Sequence, residues 1–249
     1  RWRYVAAFCD ELMLCAGVAH VGPARSSWWA LWDRGAHELH EHTRIAPGPA
    51  LVRFGHGGRV RIRDRAVAID LVVDEGGGVE SLNAHGAQYV WTRKQAARPA
   101  GGTVTLPGGR TMTLDGALAI VDDTAGYHAR ATEWWWSAGV GLGADGAPVG
   151  WNLVAGVNDG PRASERSVWS GSGAREVGPV RFAADLSSVA FADGTRLRFE
   201  AEAVRARHDR LVLVDSAYRQ PFGTFCGVLP GAGELRRGMG VMEHHRARW

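Results

Sequence analysis

Short runs of alternating apolar residues, cut off by glycine turns, recur along the whole chain. Val60 and Ile62 lead into a turn at Arg63-Asp64-Arg65, after which Val67, Ile69, Leu71 and Val73 share one face. Pro107-Gly108-Gly109 separates strand-like residues 103–106 from 111–114, Asp145-Gly146 separates 134–142 from 149–154, and Asp193-Gly194 separates 189–191 from 196–204. His208-Asp209 then reads as the turn into a last short strand at 211–214. Asp-Gly suits tight hairpins because such turns need positive φ, which glycine reaches without a steric cost. No stretch sustains a long 3.6-residue apolar period, and residues 116–121 read as a short helix at most. The pattern predicts an all-β chain of antiparallel barrels or sandwiches. Each half opens with an aromatic strand and later carries a long alternating hairpin, so two consecutive β domains are expected. The boundary is placed in the Gly- and Pro-rich stretch 97–109, giving domains 1–103 and 104–249.

Charge and composition exclude several classes of function. A net charge of +3 spread over 249 residues leaves no electrostatic footprint for nucleic acid. Lys94 is the only lysine, and the arginine preference elsewhere reads as a coding bias. Cys9, Cys15 and Cys226 are odd in number and lack metal or redox spacing, which points to reduced thiols and a cytoplasmic location. No apolar run approaches the roughly 18–20 residues of a membrane helix. The chain opens on Arg1 inside a strand-like segment, which leaves room for an upstream targeting segment. Phosphate-binding and dinucleotide-binding glycine loops are absent, as is a Gly-x-Ser-x-Gly elbow, so no cofactor is expected.

Residues 122–136 concentrate titratable and aromatic side chains: Asp122, Asp123, Tyr127, His128, Glu133 and the run Trp134-Trp135-Trp136. On a regular strand Glu133 and Trp135 share one face while Trp134 and Trp136 share the other. A carboxyl beside large rings is poorly solvated, which favours its protonated form and suits it to general-acid work. Rings facing a developing carbocation stabilise it. Asp122, His128 and Glu133 are therefore the catalytic candidates. Tyr127, Trp134, Trp135, Trp136, Arg93, Tyr218, Glu243 and His244 are the substrate-binding candidates. Arg93 and Gln95 would point together and suit a carboxylate or carbonyl, and Glu165 with Arg219 is a plausible buried support.

Several segments carry a resemblance. Gly126-Tyr127-His128 followed by Trp134 resembles the Gly-Tyr-His segment of the carotenoid hydratase (hydroxyneurosporene synthase) and AttH-like group. From Trp2 to Trp249 the chain resembles the bacterial family catalogued as domain of unknown function 2804. That likeness is carried by Leu14-Cys15-Ala16-Gly17-Val18, Trp91-Thr92-Arg93-Lys94-Gln95, Trp151-Asn152-Leu153-Val154, Tyr218-Arg219-Gln220-Pro221-Phe222-Gly223-Thr224-Phe225 and Gly240-Val241-Met242-Glu243-His244-His245. The resemblance implies lipocalin-like barrels. Joined to the aromatic content of the chain, it implies a hydrophobic small-molecule ligand as partner. The activity to expect is cofactor-independent, acid-catalysed hydration, cyclisation or isomerisation of a lipid-like or terpenoid substrate. The alternative is a non-catalytic carrier or sensor of such a ligand.

His37-Glu38-Leu39-His40-Glu41-His42 places His40 and His42 on one strand face, but a zinc site needs a third ligand and an orienting second shell, and the sequence offers none nearby. No metal is expected. Elemental analysis of purified protein should find less than one zinc or iron per chain. One metal per chain, lost in the double variant His40→Ala, His42→Ala, would reverse that reading.

Overall fold

The computed structural model describes every residue except 46–49, 66, 86–87, 172, 212–213 and 249, and for side chains also excepts 85 and 211. Among the described residues the chain contains strands, turns and one short 3-10 turn at Pro107–Gly109, with no α-helix. Residues 116–121 form no helix: they enter a strand at Ala117, because a strand buried on both faces is as continuously apolar as a buried helix.

The first sheet contains β1 (Trp2–Phe8), β2 (Leu12–Val21), β3 (Ala24–Asp33), β4 (Glu38–Ile45), β5 (Val52–Phe54), β6 (Arg59–Asp64) and β7 (Val67–Val73). It continues through β8 (Val79–His85), β9 (Gln88–Thr105), β10 (Thr111–Thr113) and β11 (Ala117–Gly126). The second sheet contains β12 (Ala131–Gly143), β13 (Pro148–Ala155), β14 (Ser167–Ser170), β15 (Gly173–Glu176) and β16 (Val180–Phe182). It ends with β17 (Ser188–Phe191), β18 (Arg196–Leu211), β19 (Val214–Leu229) and β20 (Gly233–Arg248). His208 and Asp209, expected at a turn, lie inside β18 and pair with Ala217 and Ser216 of β19.

The strand orders are β4-β3-β2-β1-β11-β9-β7-β6-β5 and β15-β14-β13-β12-β20-β19-β18-β17-β16. With the side branches β8 and β10 set aside, the two orders are the same. In each half the first strand pairs antiparallel with the last, β1 with β11 and β12 with β20. The chain is thus two curled, lipocalin-like half-barrels of one topology. The change of sheet falls between Gly126 and Ala131, so the boundary expected at 103/104 lies inside the first sheet. The Gly-Pro-rich residues 97–109 belong instead to the long strand β9 and its tight turn into β10, where Gly108 and Gly109 take positive φ.

Three apolar cores follow from the alternation of side chains. Val5, Ala7, Leu14, Trp29, Ile62, Ile69 and Val121 fill the first half-barrel, and Trp151, Leu153, Leu197, Phe199, Phe225 and Met242 fill the second. The third core is the seam between the sheets, where Tyr4, Ala6 and Phe8 of β1 meet Trp136, Ala138 and Val140 of β12 and Phe222 and Val241. That explains why residues 4–8 are apolar without alternation: odd positions face a core and even positions face the seam.

The halves approach closely at Gly150 of β13. A Cβ there would stand 2.6 Å from Ala96 Cβ and 2.8 Å from the Ala97 backbone nitrogen. Gly150→Ala should therefore lower unfolding free energy by about 1–3 kcal/mol through overpacking. Gly171→Ala, where a Cβ meets nothing within 4 Å, should stay within about 0.5 kcal/mol of the parent. Paired chemical-denaturation curves check both.

Candidate active site

Apolar seams tolerate ionised groups only when these are paired and hydrogen-bonded. This seam contains two such clusters. The first centres on Lys94 of β9, which is 3% exposed. Its ammonium lies 2.7 Å from Asp122 Oδ1, on the neighbouring strand β11, and 3.4 Å from Glu165 Oε2, which enters from the loop before β14. Thr124 donates to Asp122 Oδ1 at 3.0 Å, and Asn158 Nδ2 donates to Glu165 Oε2 at 3.2 Å. Burial works against the Lys94 charge, but the two carboxylates outweigh it and hold its pKa above the ordinary lysine value. Burial pushes the Glu165 carboxyl up, with Asp122 adding to the push and Lys94 opposing it.

The second cluster centres on Arg205 of β18, 1% exposed. Nε donates to Glu41 of β4 at 2.9 Å, Nη1 to Gln220 Oε1 at 3.1 Å and to Cys15 Sγ at 3.6 Å, and Nη2 to the Tyr218 hydroxyl at 3.0 Å. Gln220 Nε2 donates to Glu243 Oε2 at 2.5 Å, and Trp134 Nε1 donates to Glu243 Oε1 at 2.9 Å. Burial alone would raise the Glu243 pKa. Hydrogen bonding and charge from His245, then the Trp134 and Gln220 bonds, reverse this and hold it below the ordinary glutamate value. Burial pushes the Tyr4 phenol well above its ordinary value and also raises Cys15, so both are neutral at physiological pH.

Tyr4 and Trp136 join the clusters. Tyr4 meets the Trp136 ring edge-on at 5.5 Å. Trp136 Nε1 donates to Asn152 Oδ1, and Asn152 Nδ2 donates to the Glu165 carbonyl, both at 2.9 Å. The Tyr4 hydroxyl is buried beside Arg205 and the Cys15 thiol, with no oxygen or nitrogen partner of its own. Two clefts lie nearer the other end of the seam. One of about 410 Å³ is lined by Phe8, Leu118, Val140 and Met239, and one of about 970 Å³ by Trp32, Arg34, Arg110 and Glu202. The polar groups just described line neither cleft.

The structure brings Asp122, Trp134, Trp136, Tyr218 and Glu243 to the seam. His128 stacks on Trp2 at 4.9 Å, beside the start of β1. Glu133, Trp135 and His244 lie on the opposite face of their sheet, as strict alternation requires. Glu133 bonds His244 Nε2 at 2.7 Å, Trp135 stacks on His244 at 4.6 Å, and the Glu133 side chain is 47% exposed. Tyr127 is 63% exposed and packs edge-on to Tyr89. Gly126 permits that arrangement, since its φ of 153° is positive and a Cβ would lie 2.4 Å from the Tyr89 carbonyl. Arg93 and Gln95 do act together, but on the chain's own backbone: Arg93 donates to the Gly76 carbonyl and Gln95 accepts from the Gly76 nitrogen. Glu165 pairs with Lys94 rather than Arg219, whose guanidinium reaches the Asp185 carbonyl. His40 and His42 turn to different carboxylates, Glu38 and Asp64, at 3.5 and 2.5 Å.

Sequence reasoning missed Tyr4, Lys94 and Arg205. For Lys94 a signal was present: a lone lysine in a chain that otherwise uses arginine runs against the coding bias.

The family model for the domain of unknown function (DUF2804) matches residues 59–249. The chain belongs to this family. No match was found among curated protein sequences. Among solved structures it is similar to kievitone hydratase from Nectria haematococca, with a TM-score of 0.63 and 9% identity over 100% of this chain and 88% of that one. It is also similar to a putative AttH from Nitrosomonas europaea, with a TM-score of 0.60 and 14% identity over 98% and 91% of the two chains. CghA aligns with a TM-score of 0.55 and 9% identity over 99% and 87%. At these identities the likeness shows the fold alone.

Glu243 supplies a pH dependence. Its folded pKa is depressed, so its contribution to stability is present above the ordinary value of 4.5 and is lost as pH falls through the folded value. Unfolding free energy measured between pH 6 and pH 3 should fall more steeply in the parent than in Glu243→Gln. Parallel curves would remove the depressed carboxylate.

Proposed function

We propose that this protein binds a hydrophobic small molecule in the seam between its half-barrels and adds or moves a proton on it without a cofactor, as a hydratase, cyclase or isomerase. The observation that carries the reading is a pair of largely buried carboxyls whose surroundings shift them in opposite directions. Glu165 is raised beside Lys94 and Asp122, and Glu243 is lowered beneath Trp134 and Gln220, with Tyr4 and Trp136 between. Environments that push two carboxyls apart assign one as acid and the other as base. Fold likeness to a kievitone hydratase adds support of the associational kind.

In a hydration, protonated Glu165 delivers its proton to one alkene carbon, and Trp136 faces the cation that develops on the other. Water attacks that carbon and gives its proton to the Glu243 carboxylate. The product carries H and OH across the former double bond, and one proton passes from Glu243 back to Glu165 to reset the site. Isomerisation uses the same acid, with Glu243 removing a carbon-bound proton instead. Asp122 and Lys94 are positioning groups that set the Glu165 state, and His128 stands at the seam's rim above Trp2. Three free cysteines fit a reducing, cytoplasmic setting.

The second reading is a carrier or sensor, favoured by the hydrogen bonds that Glu243 already accepts within the chain on each of its oxygens. Native mass spectrometry with extraction of co-purified apolar molecules identifies a ligand for either case. Incubating that ligand with protein in deuterated water then separates them. On the catalytic reading the parent incorporates deuterium at carbon, while Glu165→Gln and Glu243→Gln each lose at least about 100-fold in rate with affinity changed only a few-fold. A parent that binds the ligand but leaves its mass unchanged is a carrier.

A further inference from the structure

The Arg205 cluster has more hydrogen-bond donors than acceptors. A guanidinium has five N–H groups, and Arg205 directs four of them to Glu41, Cys15, Gln220 and Tyr218. One N–H on Nη2 has no acceptor among the described residues. Tyr218 accepts from Arg205, and its own hydroxyl proton likewise has no acceptor among the described residues. The Tyr4 hydroxyl, on a ring 4% exposed, has no oxygen or nitrogen partner and only the weakly accepting Cys15 thiol beside it. The nearby oxygens bond other donors, Gln220 Oε1 accepting from Arg205 and the Glu243 oxygens from Trp134 and Gln220. A buried polar group left without a partner costs free energy, so such a surplus marks a place completed by something else.

What completes it must accept hydrogen bonds and offer none. The walls around it are apolar or aromatic, with Trp136 against Tyr4, and Trp134 and Tyr218 against His245 at 4.2 and 5.6 Å. Tyr218 and His245 are half-buried and Glu41 is exposed, so this cluster lies close to the surface of the seam. We infer that Tyr4, Arg205 and Tyr218 receive a carbonyl or phenolate oxygen on an otherwise apolar ligand. This rests on the seam being the binding site, and it names the substrate class: oxygen-bearing aromatic or polycyclic molecules rather than plain hydrocarbons. The oxygen anchors the ligand at the Arg205 end, and the reacting carbons extend along Trp136 toward Glu165.

The test uses two probes of one shape, 2-acetylnaphthalene and 2-isopropenylnaphthalene, which differ by an oxygen in place of a methylene group. Binding is measured by calorimetry on the full chain, with thermal unfolding alongside. The parent should prefer the ketone by at least about tenfold, as expected of a site built to donate hydrogen bonds. Tyr4→Phe and Tyr218→Phe should each reduce that preference while leaving affinity for the olefin unchanged. Tyr4→Phe should keep or raise the melting temperature, because the hydroxyl it removes has no oxygen or nitrogen partner in the free protein. Equal affinities, as for a site that holds only a water molecule, would overturn the inference. So would failure of both probes to bind, or a preference that survives both variants. Only binding is read in this assay, so a carrier retains the ketone preference. Conversely, turnover of a pure hydrocarbon would keep the catalytic reading and sink this one.

Discussion

The structure depends on how a largely apolar seam accommodates charge. Each half-barrel fills its own interior with aliphatic and aromatic side chains, so neither needs the other to close its core. What joins them is a third core with charged groups set into it, and ion pairs cross from one half to the other. Lys94 reaches Glu165, Arg205 reaches Glu41, Arg34 reaches Glu202 and Arg237 reaches Asp10. Removing one partner of a buried pair leaves an uncompensated charge, which costs far more than the intact pair contributes. The buried pair of Lys94 and Glu165 therefore fixes the relative position of the halves more than it adds stability, whereas Arg237 and Asp10 are exposed and contribute little.

That constraint explains which parts of the molecule were legible in the sequence. Hairpins marked by Asp145-Gly146 and Asp193-Gly194 are local, and the structure forms both. Alternation separated Trp134 and Trp136 from Glu133 and Trp135, and the sheet keeps that separation. Alternation does not say which face is the seam, because a strand covered on both sides is apolar on both. Residues 122–136 were read as one site for that reason, whereas the structure divides them between a buried seam and an exposed rim. The long-range pairs were not legible at all. Glu41 and Arg205 are 164 positions apart, and nothing local to either identifies the other. Lys94 was the exception: its type alone set it apart.

The shared strand order of the two halves gives the seam its chemistry. In each half the first strand lies at the centre of the sheet, hydrogen-bonded to the last. The central strands β1 and β12 face each other, so Tyr4 and Trp136 meet at the middle of the interface. The neighbours β9 and β11 on one side and β19 and β20 on the other then supply Lys94, Asp122, Gln220 and Glu243. A polar residue near an edge strand would reach solvent with a small shift. At the centre of two opposed sheets it is largely withdrawn from solvent, and its neighbours weigh on its protonation state.

The tryptophans act on this chemistry through their N–H groups as well as their rings. Each buried indole needs an acceptor, and several find one on a side chain: Trp29 on Asp64, Trp32 on Glu202, Trp134 on Glu243, Trp136 on Asn152 and Trp151 on Ser137. A ring packed in a core has one orientation, so the acceptor it bonds is fixed as well. Glu243 is held by one such indole, Trp134, on one oxygen and by the Gln220 amide on the other, and it keeps lone pairs on both. A carboxylate held in this way has a fixed orientation, and hydrogen bonding and charge from His245, followed by the bonds to Trp134 and Gln220, favour its ionised form against burial. The aromatic content that the sequence suggested as a ligand lining thus also fixes the carboxylates that its indole N–H groups reach.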